Sequence, residues 1–208
     1  MRRHRSLAAA VIVLAACLTP AVCAGIPDPA CSALPAAIVA SPDGSLLTRV
    51  VVLDLACNPM EYSDVVLDFS RCASFAPCAT PCHDCVVNED LKTVRMLANR
   101  AGVADFDLRF GAMGCPDLPA VRIFVDGVLV GTRGFASLDQ NGDGSVTAAD
   151  VARVHARLGT ADARADFDGD GVVTATDEAL VLAHLGTTCL GPVRVHQPTW
   201  GALKQHPR

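Results

Sequence analysis

Residues 139–150 read DQNGDGSVTAAD, and 27 residues later residues 166–177 read DFDGDGVVTATD. Both place side-chain oxygens at positions 1, 3, 5, 9 and 12 of a twelve-residue loop and glycine at position 6, the pattern that wraps a calcium ion. In the first loop the ligand positions are Asp139, Asn141, Asp143, Thr147 and Asp150, with Gly144 at the turn. In the second they are Asp166, Asp168, Asp170, Thr174 and Asp177, with Gly171 at the turn. Backbone carbonyls of Ser145 and Val172 complete each set at position 7. A hard divalent cation takes six to eight oxygens at about 2.3–2.6 Å, which alternating short carboxylates supply once glycine lets the chain turn back. A single such run is also the composition of an ordinary surface turn. Two complete ones, each leading into an apolar-periodic segment, predict two bound calcium ions.

Working outward, each loop runs into a helix. Val151, Val154 and Leu158 form an apolar stripe after the first, and Leu180, Val181 and Leu185 after the second. Gly159 and Gly186 are placed to stop the helices. No long helix enters either loop: 135–138 is too short and 160–165 is a connector. Val146 and Val173, at position 8, are expected to pair the loops through a short β-bridge.

This duplicated loop–helix unit, with Asp rather than Glu at position 12, resembles the type I dockerin domain, a calcium-dependent docking module of cellulosome enzymes. The resemblance covers residues 136–187 and implies a small α domain folded by two calcium ions, with a cohesin domain on another protein as partner. Dockerins with well-defined cohesin partners commonly carry a Ser/Thr pair at loop positions 10 and 11. Here those positions are Ala148-Ala149 and Ala175-Thr176, and helix positions 17 and 18 are His155-Ala156 and Leu182-Ala183. Calcium-dependent folding therefore carries over better than cohesin binding. A calcium clamp that stiffens this end of the protein stands beside docking as a reading.

Upstream, the period changes from that of helices to that of strands. Arg49–Leu55 and Asp64–Phe69 flank the turn-forming Cys57-Asn58-Pro59-Met60. Phe106, Leu108 and Phe110 alternate with Asp105, Asp107 and Arg109, as in a half-buried strand. Val121, Ile123 and Val125 lead through Asp126-Gly127 to Val128-Leu129-Val130, the signature of a hairpin with a type I′ turn. Short strands with turns between them predict an all-β sandwich over 48–135. The runs VVVLDLACNPMEYSDVVLDFS, NRAGVADFDLRF and VRIFVDGVLVGT are similar to bacterial Ig-like domains of the invasin/intimin type. In that family a glycine customarily stands where this chain has Cys57. Such modules act as spacers, adhesins or placement domains, but an Ig-like fold does not fix a function.

The cysteines point to an oxidising compartment. Residues 1–24 have the basic start (Arg2, Arg3, Arg5), apolar run and small-residue end of a secretory signal peptide. A rival reading takes Leu14-Ala15-Ala16-Cys17 as a lipobox, with a lipid anchor on Cys17. Parity favours removal after Ala24, which discards Cys17 and Cys23 of the 10 and leaves Cys31, Cys57, Cys72, Cys78, Cys82, Cys85, Cys115 and Cys189 as an even set. Structural disulfides are the expectation for the insert CASFAPCATPCHDC at 72–85, ahead of zinc or thiol-redox chemistry at Cys82-His83-Asp84-Cys85. Residues 25–47 read as a lead-in and 188–208 as a tail.

All 22 acids lie after Ala24 with 14 of the 17 basic residues, a net charge of −8 for that part, against −5 for the whole chain. That balance speaks against nucleic acid as a partner. With aromatics at 4%, stacking platforms for bases or sugars are scarce. No stretch after the leader is long and apolar enough to span a membrane. No Gly-x-Ser-x-Gly, His-Glu-x-x-His, P-loop or dinucleotide fingerprint occurs. Glu61, Asp64, Asp68, Glu89 and Asp90 read as solvent faces and turns rather than a hydrolytic pair. The sequence therefore reads as a secreted or cell-surface, non-catalytic calcium-binding protein for attachment or extracellular assembly, with a cohesin-like protein or a cell-surface glycan as partner. The alternatives are a cellulosome-like accessory component in polysaccharide breakdown or a divergent glycoside hydrolase.

Overall fold

A computed structural model describes residues 25–115 and 119–189; the leader and lipobox readings, and all of the tail after Cys189, lie outside them. The elements are β1 Ile38–Ala40, β2 Thr48–Val51, β3 Asp64–Asp68, β4 Val86–Asn88, β5 Thr93–Leu97, β6 Val103–Phe106, β7 Val121–Val125, β8 Val128–Arg133, β9 Phe135–Ser137, α1 Ala148–His155 and α2 Ala175–Ala183. The chain is mostly β, with both helices near its C-terminal end. Strands β4-β5-β3-β7-β8 form one sheet, β2-β6 a second and β1-β9 a third.

Alternation explains the first two sheets. Val65 and Leu67 of β3, Val94 of β5 and Val121, Ile123 and Val125 of β7 share one core with Val50 of β2 and Ala104 and Phe106 of β6. On the outer face, Asp64 pairs with Arg95 and Asp68 with Arg122, each at 2.5 Å between neighbouring strands. The Asp126-Gly127 turn has φ of 47° and 80°, the left-handed pair that a type I′ turn requires. A bulge follows: Ile123 faces Gly131 but Phe124 faces Leu129, so Val130 is the extra residue and turns into the core.

The alternation read over 106–110 continues beyond the β6 ladder. Leu108 and Phe110 stay buried because the Cys-rich insert takes over as the neighbour. Arg109 N–H donates to Pro81 O at 2.9 Å, Cys78 N–H to Arg109 O at 2.8 Å and Gly111 N–H to Ala76 O at 3.0 Å.

All eight cysteines of the described segments are paired: Cys31–Cys57, Cys72–Cys115, Cys78–Cys189 and Cys82–Cys85. At Cys82-His83-Asp84-Cys85 the structure has the expected disulfide rather than the zinc alternative: the two sulfurs bond each other and leave no thiolate to ligate a metal. Cys57 has φ of 58°, in the left-handed region that glycine adopts without strain. The Asp54 carboxylate accepts the Ala56 and Asn58 amides at 2.9 Å there, and the Asn58 amide above all holds its carboxyl below the usual range.

Residues 25–47, a lead-in by sequence, contribute β1 and the Cys31 anchor. β1 runs parallel to β9, with Ile38 opposite Phe135, Val39 opposite Ala136 and Ala40 opposite Ser137. Successive side chains of this ribbon point to opposite sides. Ile38, Ala40 and Phe135 enter the β core, where Phe135 meets Phe69 edge-on at 5.1 Å. Ala136 and Val39 instead face a second core built from Leu138, Val146, Val154, Ala165, Phe167, Val173 and Val181. The ribbon is a wall common to both cores, and the sequence boundary between residues 135 and 136 falls inside it.

Candidate metal centre

Each calcium-type loop is organised by two of its own carboxylates. Asp139 Oδ1 accepts the Gly142 and Asp143 amides at 2.7 and 3.2 Å, and its Oδ2 accepts Gly144 N–H at 2.7 Å. Asp166 does the same with Gly169, Asp170 and Gly171, at 2.8, 3.2 and 2.9 Å. Position 12 closes the other end. Asp150 Oδ1 accepts from the backbone of Gln140 and Asn141, while its Oδ2 accepts the Thr147 amide and hydroxyl at 2.8 and 2.9 Å. Asp177 accepts the Phe167 amide at 2.7 Å and the Thr174 amide and hydroxyl at 2.8 and 3.2 Å.

Those last contacts are also helix caps. Thr147 and Thr174 are the N-caps of α1 and α2, and Asp150 and Asp177 stand at N3 as the returning halves of capping boxes. The capping role of position 12 was not read from the sequence, although the Thr-x-x-Asp spacing before each apolar stripe carried the signal. It offers a reason for aspartate here: the carboxylate reaches back to its own N-cap and across to the loop entrance.

In loop 2, one carboxylate oxygen from each of Asp166, Asp168 and Asp177 lies within 4.8 Å of the other two. Desolvation, followed by the charges of Asp177 and Asp170, pushes the Asp168 carboxyl up from its usual range, although the residue sits at the exposed rim. Burial raises the Asp139 carboxyl in loop 1, and the Asp150 charge adds to the effect. Acids held together and hard to ionise fit a site that takes a cation. In loop 1 the position corresponding to Asp168 is an amide: Asn141 Oδ1 accepts the Asp143 amide at 2.9 Å and its Nδ2 donates to Asp143 Oδ2 at 2.7 Å. Thr147 and Thr174 are engaged with their caps, and the Ser145 and Val172 peptides sit where Asp143 and Asp170 accept their N–H groups, at 3.0 and 2.8 Å.

The expected bridge between Val146 and Val173 does not form. Val146 N–H donates to Thr187 O at 2.9 Å and its carbonyl accepts from Gly186 at 2.8 Å, while Val173 makes the same pair with Thr160 and Gly159, both at 2.8 Å. Each loop is thus laced to the chain leaving the other unit's helix. Gly159 and Gly186, with φ of 77° and 88°, turn the chain into those positions. The expected stripes are corrected as well. Val154 and Val181 are buried, with Val151 and Leu180 packed beside them, but Leu158 and Leu185 lie past the helix ends, on the surface.

Outside this region, a groove of about 650 Å³ is lined by His83, Asp84, Arg95, Asn99, Asp105 and Asp107, among others. Two of its acids are already engaged. Asp105 holds Arg49 at 2.7 Å, and Asp107 holds Arg109 at 2.9 Å and accepts the His83 amide at 2.8 Å.

The family model of the dockerin type I domain matches residues 137–186, the segment that carries both loops, both helices and most of the second core. The match supports a dockerin-type domain there and calcium as its ion. No curated protein matches the chain. No helix among the described residues is long and apolar enough to cross a membrane.

Proposed function

We propose that the protein is a secreted, non-catalytic component of an extracellular or cell-surface assembly. In this reading an Ig-like β module is joined to a dockerin-like module that holds two calcium ions. Asp139, Asn141, Asp143, Ser145, Thr147 and Asp150 would hold one ion, and Asp166, Asp168, Asp170, Val172, Thr174 and Asp177 the other. Bound there, calcium supplies positive charge that offsets the crowded carboxylates; the chain's own residues supply the turns, caps and interlaced exits that orient them. The observation that carries the reading is the convergence of Asp166, Asp168 and Asp177 oxygens. The prior engagement of Asp105 and Asp107 in ion pairs favours a non-catalytic reading of the groove over a hydrolytic carboxylate pair.

The test is a calcium titration followed by helix circular dichroism. The wild-type signal rises, and the Asp139→Ala/Asp166→Ala double variant shows no rise. An unchanged titration in the double variant refutes the ligand assignment.

Docking to a cohesin is favoured by one observation: positions 10, 11, 17 and 18 of both units, namely Ala148, Ala149, His155 and Ala156 with Ala175, Thr176, Leu182 and Ala183, are all exposed. Most are small or apolar, with His155 and the hydroxyl of Thr176 as the polar exceptions. Capture by immobilised cohesins that is lost on adding a calcium chelator supports this accessory role in polysaccharide breakdown. Equal retention with and without chelator refutes it.

A further inference from the structure

We propose that the Cys78–Cys189 disulfide is a positioning element of the first calcium loop, so that oxidation of this pair sets the calcium affinity of loop 1 and leaves loop 2 almost untouched. The inference rests on the calcium reading above and adds a control to it.

Internally the two loops are near copies. What differs is the strand that laces each one. Loop 2 has two rungs, both at Val173, after which the chain leaves toward the Asp162 ion pairs with Arg157 and Arg164. Loop 1 has the two corresponding rungs at Val146 and then a third: Ser145 bridges to Thr188, and Cys189 N–H donates to Gly144 O at 2.7 Å. The strap 187–189 is therefore paired along residues 144–146, which include the sharp-turn glycine and the peptide assigned to position 7. The three rungs use the Gly144 carbonyl and the Val146 amide and carbonyl, and none of them uses the Ser145 carbonyl, the group assigned to position 7.

The far end of the strap is fixed by Cys78, on the insert that continues the β core. The fit at this junction is close. A Cβ placed on Gly111 would lie 2.9 Å from Gly144 Cα and 3.1 Å from Cys189 Sγ, and one on Gly142, at loop position 4, would lie 3.2 Å from Met113. Among the described residues, the strap without the disulfide is held only from the α2 side, and the third rung must be formed against the freedom of a less constrained segment. Groups that orient ligands rather than ligate commonly account for ~10–100-fold in metal affinity.

The bond is placed to respond to its surroundings. A cavity of about 360 Å³, lined by Pro77, Gly111, Asp143 and Cys189 among others, opens beside it, and Cys189 is the less buried partner. A small-molecule thiolate attacking Cys189 Sγ breaks the S–S bond, forms a mixed disulfide there and releases Cys78 as the thiolate. A second thiolate then displaces Cys189 and leaves as the small-molecule disulfide, so two electrons pass to the protein and the two cysteines take up two protons.

Calorimetric titration with calcium tests the proposal in single-site backgrounds. In Asp166→Ala protein, where loop 1 remains, adding Cys78→Ser/Cys189→Ser raises the Kd at least about tenfold. In Asp139→Ala protein, where loop 2 remains, the same cysteine changes move the Kd by less than about threefold, because the third rung is absent from loop 2. An unchanged loop 1 affinity, or equal weakening of both loops, overturns the positioning role while leaving the calcium reading intact. Loss of binding in the oxidised single-site proteins overturns both. A second measurement needs no cysteine substitution. By linkage, calcium must protect the bond as much as the bond favours calcium. In wild-type protein poised in dithiothreitol redox buffers, saturating calcium makes Cys78–Cys189 harder to reduce by about 30 mV for a tenfold coupling, read by mass spectrometry of alkylated peptides, while Cys31–Cys57 does not move. Identical midpoints with and without calcium refute the coupling.

Discussion

Phe135→Ala tests whether the two cores are energetically one. Phe135 is fully buried and stacks edge-on against Phe69 and Phe110, with centroids 5.1 and 5.9 Å away, while the next residue, Ala136, is fully buried in the other core. Truncating phenylalanine in a closed core costs about 3–5 kcal/mol. For a chain of this length each kcal/mol moves the melting temperature by roughly 2–4 °C, so a drop of about 12 °C is expected. The decisive feature is the shape of the transition. If the β1–β9 ribbon is a true common wall, calorimetry in saturating calcium shows one heat-absorption peak in the wild type and one, shifted as a whole, in the variant. Leu129→Ala, on the exposed side of the hairpin, serves as the control and shifts it by little. Two peaks, of which Phe135→Ala moves only one, would show that the modules melt independently and would refute the shared-wall argument.

Two other outcomes follow from the geometry. In chelator-treated protein, burial holds the Asp139 carboxyl above its ordinary value, so the folded state binds that proton more tightly than the unfolded state. Its contribution is therefore present at acid pH and is lost as pH rises through the folded value; calcium affinity shows the opposite trend and weakens as pH falls into that range. Melting temperatures of the wild type relative to Asp139→Asn, and calcium titrations of the wild type, followed as pH falls from neutrality, check both signs, and parallel trends would contradict the account. Gly102→Ala is expected to destabilise more than Gly127→Ala in urea unfolding. Both glycines have positive φ, but the new Cβ at 102 would meet Val52 O at 2.4 Å, whereas at 127 it meets nothing within 4 Å. The strain common to both is about 1–2 kcal/mol, and equal losses would refute the clash.

What the sequence revealed were features whose signal is local. The loop oxygens follow a twelve-residue pattern, Phe106, Leu108 and Phe110 alternate within five residues, and Asp126-Gly127 specifies its own turn. The features it hid depend on distant partners. β1 and β9 are three-residue strands nearly a hundred positions apart, and neither is long enough to show a period. The choice of Thr187 and Thr160 as partners for Val146 and Val173 depends on the turns at Gly186 and Gly159, which only the folded pair brings into reach. Leu158 and Leu185 match the helical stripe in spacing, yet the helices end before reaching them. The parity of the cysteines was visible, but their partners were set by where the insert crosses the end of the β core.

The reciprocal lacing of the two loops has a consequence for any single unit taken alone. Residues 139–160 carry both halves of a complementary pair: the edge of Val146 and the outgoing Gly159-Thr160 that seeks such an edge. In the whole protein each half is satisfied by the opposite unit rather than by its own. Two copies of one unit could satisfy each other around a twofold axis, so an isolated repeat carries the specification of its own homodimer.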